Sequence, residues 1–339
     1  MKRLIVCCDG TWLNLDSSGA SNVVKITQSI RKIDDQGVQQ IVFYDEGIGA
    51  EDNFIDRIGG GAFGWGIDQK IESAYRFLSL NYEEGDEIYL FGFSRGAYTI
   101  RCLAGFIYCS GLLKRQYIRK TTEAYQLYRD RDPSKKPSSK IAISFRENYG
   151  NHVPIRAICC WDTVGALGVP DLVPFLPFDD WNNKKYEFFD TKLNRLIQNA
   201  FHAVAIDEIR KSFQSTPMER SDGADTNIRQ LWFVGDHGCV GGGTDSTSGL
   251  SDITLNWIME NVENLGLAID RRYLEAKLNP RFDIPFDNQP TGIFKLDGRV
   301  SRLVKDDASV LHGSVKQRWQ AVPSYRPKNI SHLRQFLDS

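Results

Sequence analysis

Glu87-Ile88-Tyr89-Leu90-Phe91-Gly92-Phe93-Ser94-Arg95-Gly96-Ala97 is the stretch on which the reading of the chain turns. The run from Glu87 to Phe93 is apolar and aromatic and reads as a buried strand, and Gly85-Asp86 marks a turn before it. A helical pattern then runs from about Arg95 to Cys109 and stops at Gly111. A Gly-x-Ser-x-Gly set between a strand and a helix is the context of a nucleophile elbow. The serine of an elbow holds a strained backbone, so its neighbours must be small enough for strand and helix to approach. Gly92, Gly96 and Ala97 meet that demand. At a helix N-terminus, free N–H groups favour negative charge on the serine oxygen. Ser94 is therefore the expected nucleophile; the plain alternative is a tight turn with an incidental serine.

Outward from the elbow, strands and helices alternate. Leu4–Cys8, Gln40–Tyr44, Val153–Trp161 and Ile228–Val234 read as buried strands. Asn22–Ile33, Ile67–Leu80 and a segment from Ser248 or Ser251 to about Leu265 read as helices, the last capped by one of those serines. Tyr117–Arg129 and Lys140–Tyr149 read as peripheral helices, and Asn199–Phe213 is also expected to be helical. Residues after Arg281 show no strong element. Near-continuous apolar strands alternating with helices imply an α/β fold of the α/β-hydrolase type, a mostly parallel sheet covered on both faces. No Gly/Ser- or Pro-rich linker divides the chain, so one domain over 1–339 is expected. Residues 166–198 are a lid candidate, and 285–339 a C-terminal extension packed on the domain.

In such a sheet chemistry belongs beyond the C-terminal ends of the strands. His237 stands there, after Trp232-Phe233-Val234-Gly235-Asp236 and before Gly241-Gly242-Gly243, and is the expected general base. Asp162 ends another strand and gives the chain order Ser…Asp…His, so it is the expected acid. Asp207, which follows a further apolar segment, is its rival. His202 reads as a satisfied helical histidine, and His152, His312 and His332 as residues without a role. The oxyanion hole requires two N–H donors. Arg95, the residue after the nucleophile, should supply one, and Gly10 or Thr11 the other.

Other chemistries fit less well. Asp9-Gly10-Thr11 resembles the start of an aspartate-nucleophile phosphatase, but Cys7 stands where the nucleophilic aspartate is required. The glycines from Gly59 to Gly66 lack the Lys-Ser/Thr of a P-loop and the preceding strand of a dinucleotide fingerprint. Cysteine and histidine spacings match no zinc site, so neither metal nor cofactor is expected. A formal net charge of −1 gives no reason to expect nucleic acid as a partner. The seven cysteines include the adjacent pairs Cys7-Cys8 and Cys159-Cys160. Strand neighbours point to opposite faces, so these pairs should be reduced core residues. No signal peptide or membrane-length apolar run is visible, which points to a cytoplasmic chain; signal-independent secretion would leave no mark.

Taken together, these pieces resemble the α/β-hydrolase catalytic domain of type VI secretion lipase effectors. The matching segments are Cys8-Asp9-Gly10-Thr11-Trp12 with Asn22, Tyr44-Asp45-Glu46-Gly47-Ile48-Gly49, Gly92-Phe93-Ser94-Arg95-Gly96-Ala97, Trp161-Asp162-Thr163-Val164-Gly165 and Trp232-Phe233-Val234-Gly235-Asp236-His237 with Val240-Gly241-Gly242-Gly243. His312-Gly313-Ser314-Val315 and Tyr325-Arg326-Pro327 belong to the same likeness. Gly238-Cys239 stands where the family usually has Ser-Asp. The resemblance implies a Ser94–His237–Asp162 triad, an ester or lipid substrate, typically a phospholipid, and a secretion or immunity partner. Two other functions stay open: an acyl hydrolase on a small soluble ester, thioester or amide, and a non-catalytic binding protein on a hydrolase scaffold. Leu172-Val173-Pro174-Phe175-Leu176-Pro177-Phe178 is read equally as an acyl-binding wall or as a packed surface loop.

Overall fold

The computed structural model describes residues 1–10, 13, 19–47, 62–130, 132–165, 192–296 and 298–339. Thr11, the glycines Gly59 to Gly61, and the lid candidate as far as residue 191, with Leu172–Phe178, lie outside these residues.

The strands of the main sheet are β1 (Arg3–Cys8), β2 (Gln40–Asp45), β3 (Glu87–Phe93), β4 (Ala157–Trp161), β5 (Asn199–Ala205) and β6 (Asn227–Phe233). They form one sheet in the order β6-β5-β4-β3-β1-β2, every neighbouring pair parallel. Among the described residues the α-helices, in chain order, are α1 (Asn22–Ser29), α2 (Ala62–Asn81), α3 (Arg95–Ser110), α4 (Thr121–Arg129), α5 (Lys140–Tyr149), α6 (His237–Gly241), α7 (Ser248–Glu263), α8 (Arg271–Glu275), α9 (Gly313–Ala321) and α10 (Arg334–Asp338).

Burial on both faces explains why the inner strands β1, β3, β4 and β5 lack polar alternation. On one face Leu4, Val6, Cys8, Leu90 and Cys160 pack against Ile71 and Tyr75 of α2 and Leu103 and Phe106 of α3. On the other, Ile5, Cys7, Phe91, Cys159 and Trp161 pack against Val23 and Ile26 of α1 and Leu255, Ile258 and Val262 of α7. Each adjacent cysteine pair is thus divided between the two cores, as the alternation of a strand requires. Val304, Val315, Trp319, Tyr325, Ile330 and Leu337 gather with Ile206, Val234 and Leu250 in a third cluster beyond β6.

Three expectations are corrected. Asn199–Ala205 is a strand, not the start of a helix: its run is buried on both faces, and such a run carries no periodicity to separate strand from helix. Neither Ser248 nor Ser251 caps α7; Thr247 holds the cap position without a side-chain bond, and the Ser251 hydroxyl donates to the Ser248 carbonyl. The chain after Arg281 does contain helices, α9 and α10, built on few apolar residues.

The strand order reverses between β1 and β3, because β2 lies outside β1 while β3 to β6 extend the opposite way. A reversal of this kind leaves a crevice at the strand C-termini. Asp9-Gly10 and Ser94-Arg95 follow the two strands that flank it.

Candidate active site

Ser94 joins β3 to α3 with φ 57° and ψ −121°, a strained conformation for a residue with a side chain. Sterics around the turn explain its composition. A Cβ on Gly96 would stand 2.1 Å from the Cys8 carbonyl oxygen, and one on Gly92 would stand 2.6 Å from the Ala97 nitrogen. The Ser94 N–H donates to the Trp161 carbonyl at 3.0 Å, tying the elbow to the end of β4.

His237 opens α6, whose N-terminus is capped by Asp236: its Oδ1 accepts the Cys239 N–H at 2.9 Å. The imidazole lies between the rings of Phe93 and Phe213, at centroid distances of 4.6 and 4.9 Å. Gly241 lets α6 come this close, since a Cβ there would lie 2.0 Å from the Phe93 ring. The backbone N–H of His237 donates to Glu208 Oε2 at 3.2 Å, and Glu208 is itself bound by Arg210.

Asp162 follows β4 at φ 41°. His237 Nδ1 lies 2.5 Å from Asp162 Oδ2, and His237 Nε2 lies 2.8 Å from Ser94 Oγ. All three side chains are buried. Asp162 also accepts the Ala205 N–H at 3.0 Å and two bonds from the Arg302 guanidinium, at 2.6 and 2.9 Å. Burial alone would raise its pKa; the charge of Arg302 and the bonds from His237 and Arg302 outweigh burial and hold it below the usual carboxylate range. An ionised Asp162 can only accept, so the proton sits on Nδ1 and Nε2 is left to accept from the serine hydroxyl.

Asp207, the rival acid, is elsewhere. Its Oδ2 accepts from the Gly235 N–H at 2.7 Å and the Tyr325 hydroxyl at 3.0 Å. Burial raises its pKa to about 7 against those bonds. His202 lies on β5, not on a helix. Its Nε2 accepts the Thr163 N–H at 3.0 Å and its Nδ1 faces Gln230 Oε1 at 2.8 Å. Burial lowers its pKa to about 4. His312 caps α9 through its side chain and stacks on Phe233 at 4.4 Å.

Arg95, the expected oxyanion donor, is the first residue of α3. Burial, and then the charge of Arg210, lower the pKa of its guanidinium to about 10. The Gly10 N–H donates to Asp9 Oδ1 at 2.7 Å, so this donor already has an acceptor. Asp9 further accepts from the hydroxyls of Ser21 at 2.7 Å and Tyr44 at 3.0 Å, and burial raises its pKa to about 6.

Sequence reasoning missed Arg302, Glu208 and Phe213. Arg302 falls where periodicity is absent, and no spacing links it to Asp162. Among the described residues, no group of three or more His, Cys, Asp or Glu side chains is arranged to hold a metal ion. Among them, too, no helix is long and apolar enough to cross a membrane.

Comparison with known proteins gives this geometry a context. Residues 2–261 match the family described as T6SS, phospholipase effector Tle1-like, catalytic domain. An uncharacterized protein of Saccharomyces cerevisiae is 29% identical over 244 residues, covering 64% of this chain and 33% of that protein. The solved Tle1 effector bound to the VgrG spike of the type 6 secretion system is 18% identical, with a TM-score of 0.37 over 70% of this chain and 50% of its own. An uncharacterized protein from Pseudomonas aeruginosa is 17% identical, with a TM-score of 0.43 over 79% of this chain and 46% of its own. The chain thus spans half or less of the length of each of these relatives. The match from residue 2 to residue 261 takes in Ser94, Asp162 and His237, and the chain belongs to the T6SS phospholipase effector Tle1-like catalytic-domain family.

Proposed function

We propose that this chain is a serine hydrolase that cleaves carboxylic ester bonds, with phospholipids as the substrate class, through an acyl-enzyme on Ser94. The observation that carries the reading is the unbroken relay from Ser94 Oγ to His237 Nε2 at 2.8 Å and from His237 Nδ1 to Asp162 Oδ2 at 2.5 Å. Membership of a family described as phospholipase effectors supplies the substrate class.

In this mechanism His237 Nε2 takes the Ser94 proton as Oγ attacks the ester carbonyl. Asp162 orients the imidazole and stabilises the imidazolium that forms. The tetrahedral oxyanion is met by N–H groups at the start of α3, Arg95 foremost. Collapse expels the alcohol, which takes the proton from His237. A water then attacks the acyl carbon as it loses a proton to the same nitrogen; the Ser94 Oγ–acyl bond breaks, Oγ takes that proton back, and the fatty acid is released. No step calls for a metal or a cofactor. The apolar stretch Leu172–Phe178, shortly after Asp162 in the chain, is the segment suited to receive the acyl chain. A type VI route of delivery, with its secretion or immunity partner, rests on the family relation alone.

A fluorophosphonate probe should label Ser94, and Ser94→Ala should lose both the label and the release of fatty acid from phosphatidylcholine or phosphatidylglycerol vesicles while remaining folded. Undiminished hydrolysis by that variant would remove the reading.

A further inference from the structure

Arg302 lies beyond the residues that match the family, 2–261, yet its side chain reaches the centre of the site. It is 2% exposed. Its Nη1 donates to Asp162 Oδ1 at 2.6 Å and to the Ala205 carbonyl at 2.9 Å. Its Nη2 donates to Asp162 Oδ2 at 2.9 Å and to the Phe213 carbonyl. The backbone that carries it is anchored on both sides. The Lys211 N–H donates to the Gly298 carbonyl and the Val300 N–H to the Ile209 carbonyl. The Asn329 amide donates to the Arg302 and Ile206 carbonyls, and Val304 is buried in the third cluster with Trp319, Tyr325 and Ile330.

We propose that Arg302 is a positioning residue of the hydrolase: its guanidinium fork fixes the Asp162 carboxylate toward His237 and keeps it ionised, so that the C-terminal segment completes the active site. The proposal rests on the Ser94–His237–Asp162 reading.

Asp162 is fully buried, and a buried carboxylate without a cation tends to take up a proton. A protonated Asp162 would stabilise the imidazolium poorly. His237 Nδ1 contacts Oδ2 alone, and holding Oδ1 as well calls for a partner that stays cationic at every working pH. Arginine meets that condition, and its planar fork holds both carboxylate oxygens in one plane, which a lysine ammonium does not. The other charged or titratable groups around Asp162 are Arg210, paired with Glu208, on the β5 side, and His202, held between Thr163 and Gln230. Arg101 of α3 is bonded to the Thr216 and Pro217 carbonyls, and Asp236 caps α6. The two oxygens of Asp162 are bonded by Arg302, His237 and the Ala205 N–H.

The test measures kcat and KM for p-nitrophenyl butyrate between pH 5 and 9 in the full chain, with rates expressed per active site by fluorophosphonate titration. In Arg302→Gln, kcat per intact site should fall about tenfold or more at pH 7, as expected when a group titrates about one unit above the assay pH. The acid limb of the profile, which belongs to the His237–Asp162 pair, should move upward, and activity should recover as the pH rises. Arg302→Lys keeps the charge and loses the fork: its acid limb should stay with the wild type while kcat is lower. A purely structural role would reduce the number of intact sites and leave both limbs in place. An Arg302→Gln variant with wild-type kcat per site and an unmoved limb overturns the proposal. Should that variant not fold, a displaced acid limb in Arg302→Lys overturns it instead. Ser94→Ala, measured alongside, separates the two readings: full activity there removes the triad itself, whereas inactivity there with wild-type behaviour in Arg302→Gln removes only the role of Arg302.

Discussion

Two of the buried aspartates, Asp162 and Asp207, have opposite electrostatics, and the difference comes from their partners. Asp162 is bonded to the permanent cation Arg302 and is held ionised; Asp207 is bonded to a backbone N–H and the Tyr325 hydroxyl, with the charge of Arg318 acting more weakly, and burial pushes its pKa up to about 7. Their substitutions should therefore differ in kind. Asp162→Asn favours the wrong histidine tautomer, a change that elsewhere lowers kcat by about 10⁴-fold. Asp207→Asn should leave kcat within a few-fold of wild type, and ester-hydrolysis rates of the two variants decide between them. Asp207 should instead appear in stability. Its folded-state pKa is raised above the unfolded value, so its contribution is complete at low pH and is lost as the pH rises through about 7. The asparagine cannot ionise. Between pH 5 and 8 the Tm of Asp207→Asn should therefore fall less than that of the wild type. Parallel Tm curves would show that Asp207 does not titrate in this window.

At the scale of elements, the ends of β3, β4 and β6 carry the relay, and β5 holds β4 in place. The Asp162 N–H donates to the Ala203 carbonyl at 2.8 Å, and the Ala205 N–H returns to the Asp162 side chain at 3.0 Å. His202, from the middle of β5, accepts the N–H of Thr163, the residue after the acid. His202→Leu fills a similar space and leaves that buried N–H without an acceptor, a loss of about 1–3 kcal/mol. We expect a lower Tm and a reduced kcat with KM little changed, because the acid, not the substrate pocket, is loosened. A kcat equal to that of wild type would show that β4 holds Asp162 without help from His202. The elbow was legible at this scale because its chemistry is local: strand, glycine, serine, glycine and helix follow one another within one turn. β5 was not, because a run buried on both faces looks alike as strand and as helix.

Over the whole molecule, the proposed function draws substrate preference and the completion of the site from different parts of the chain. With Leu172–Phe178 as the acyl-receiving segment, each methylene buried there should add about 0.8 kcal/mol to transition-state binding, or roughly fourfold in kcat/KM. Activity should then climb from acetyl to octanoyl p-nitrophenyl esters, and Phe175→Ser with Phe178→Ser should flatten the climb while sparing acetyl ester turnover. A wild-type preference for the acetyl ester would favour a small soluble substrate. The sequence by itself determined the parallel α/β sheet, the elbow at Ser94 and the strand-end positions of Asp162 and His237. Hydrophobic runs, small residues at a forced turn and chain order are properties of neighbours in sequence, and they survive without a structure. Only the tertiary structure decided that Asp162 rather than Asp207 meets the imidazole, that the Gly10 N–H is taken by Asp9, and that Arg302 closes over the acid. These are contacts between residues up to 140 positions apart, and a charge carried across that separation leaves no periodicity or spacing along the chain.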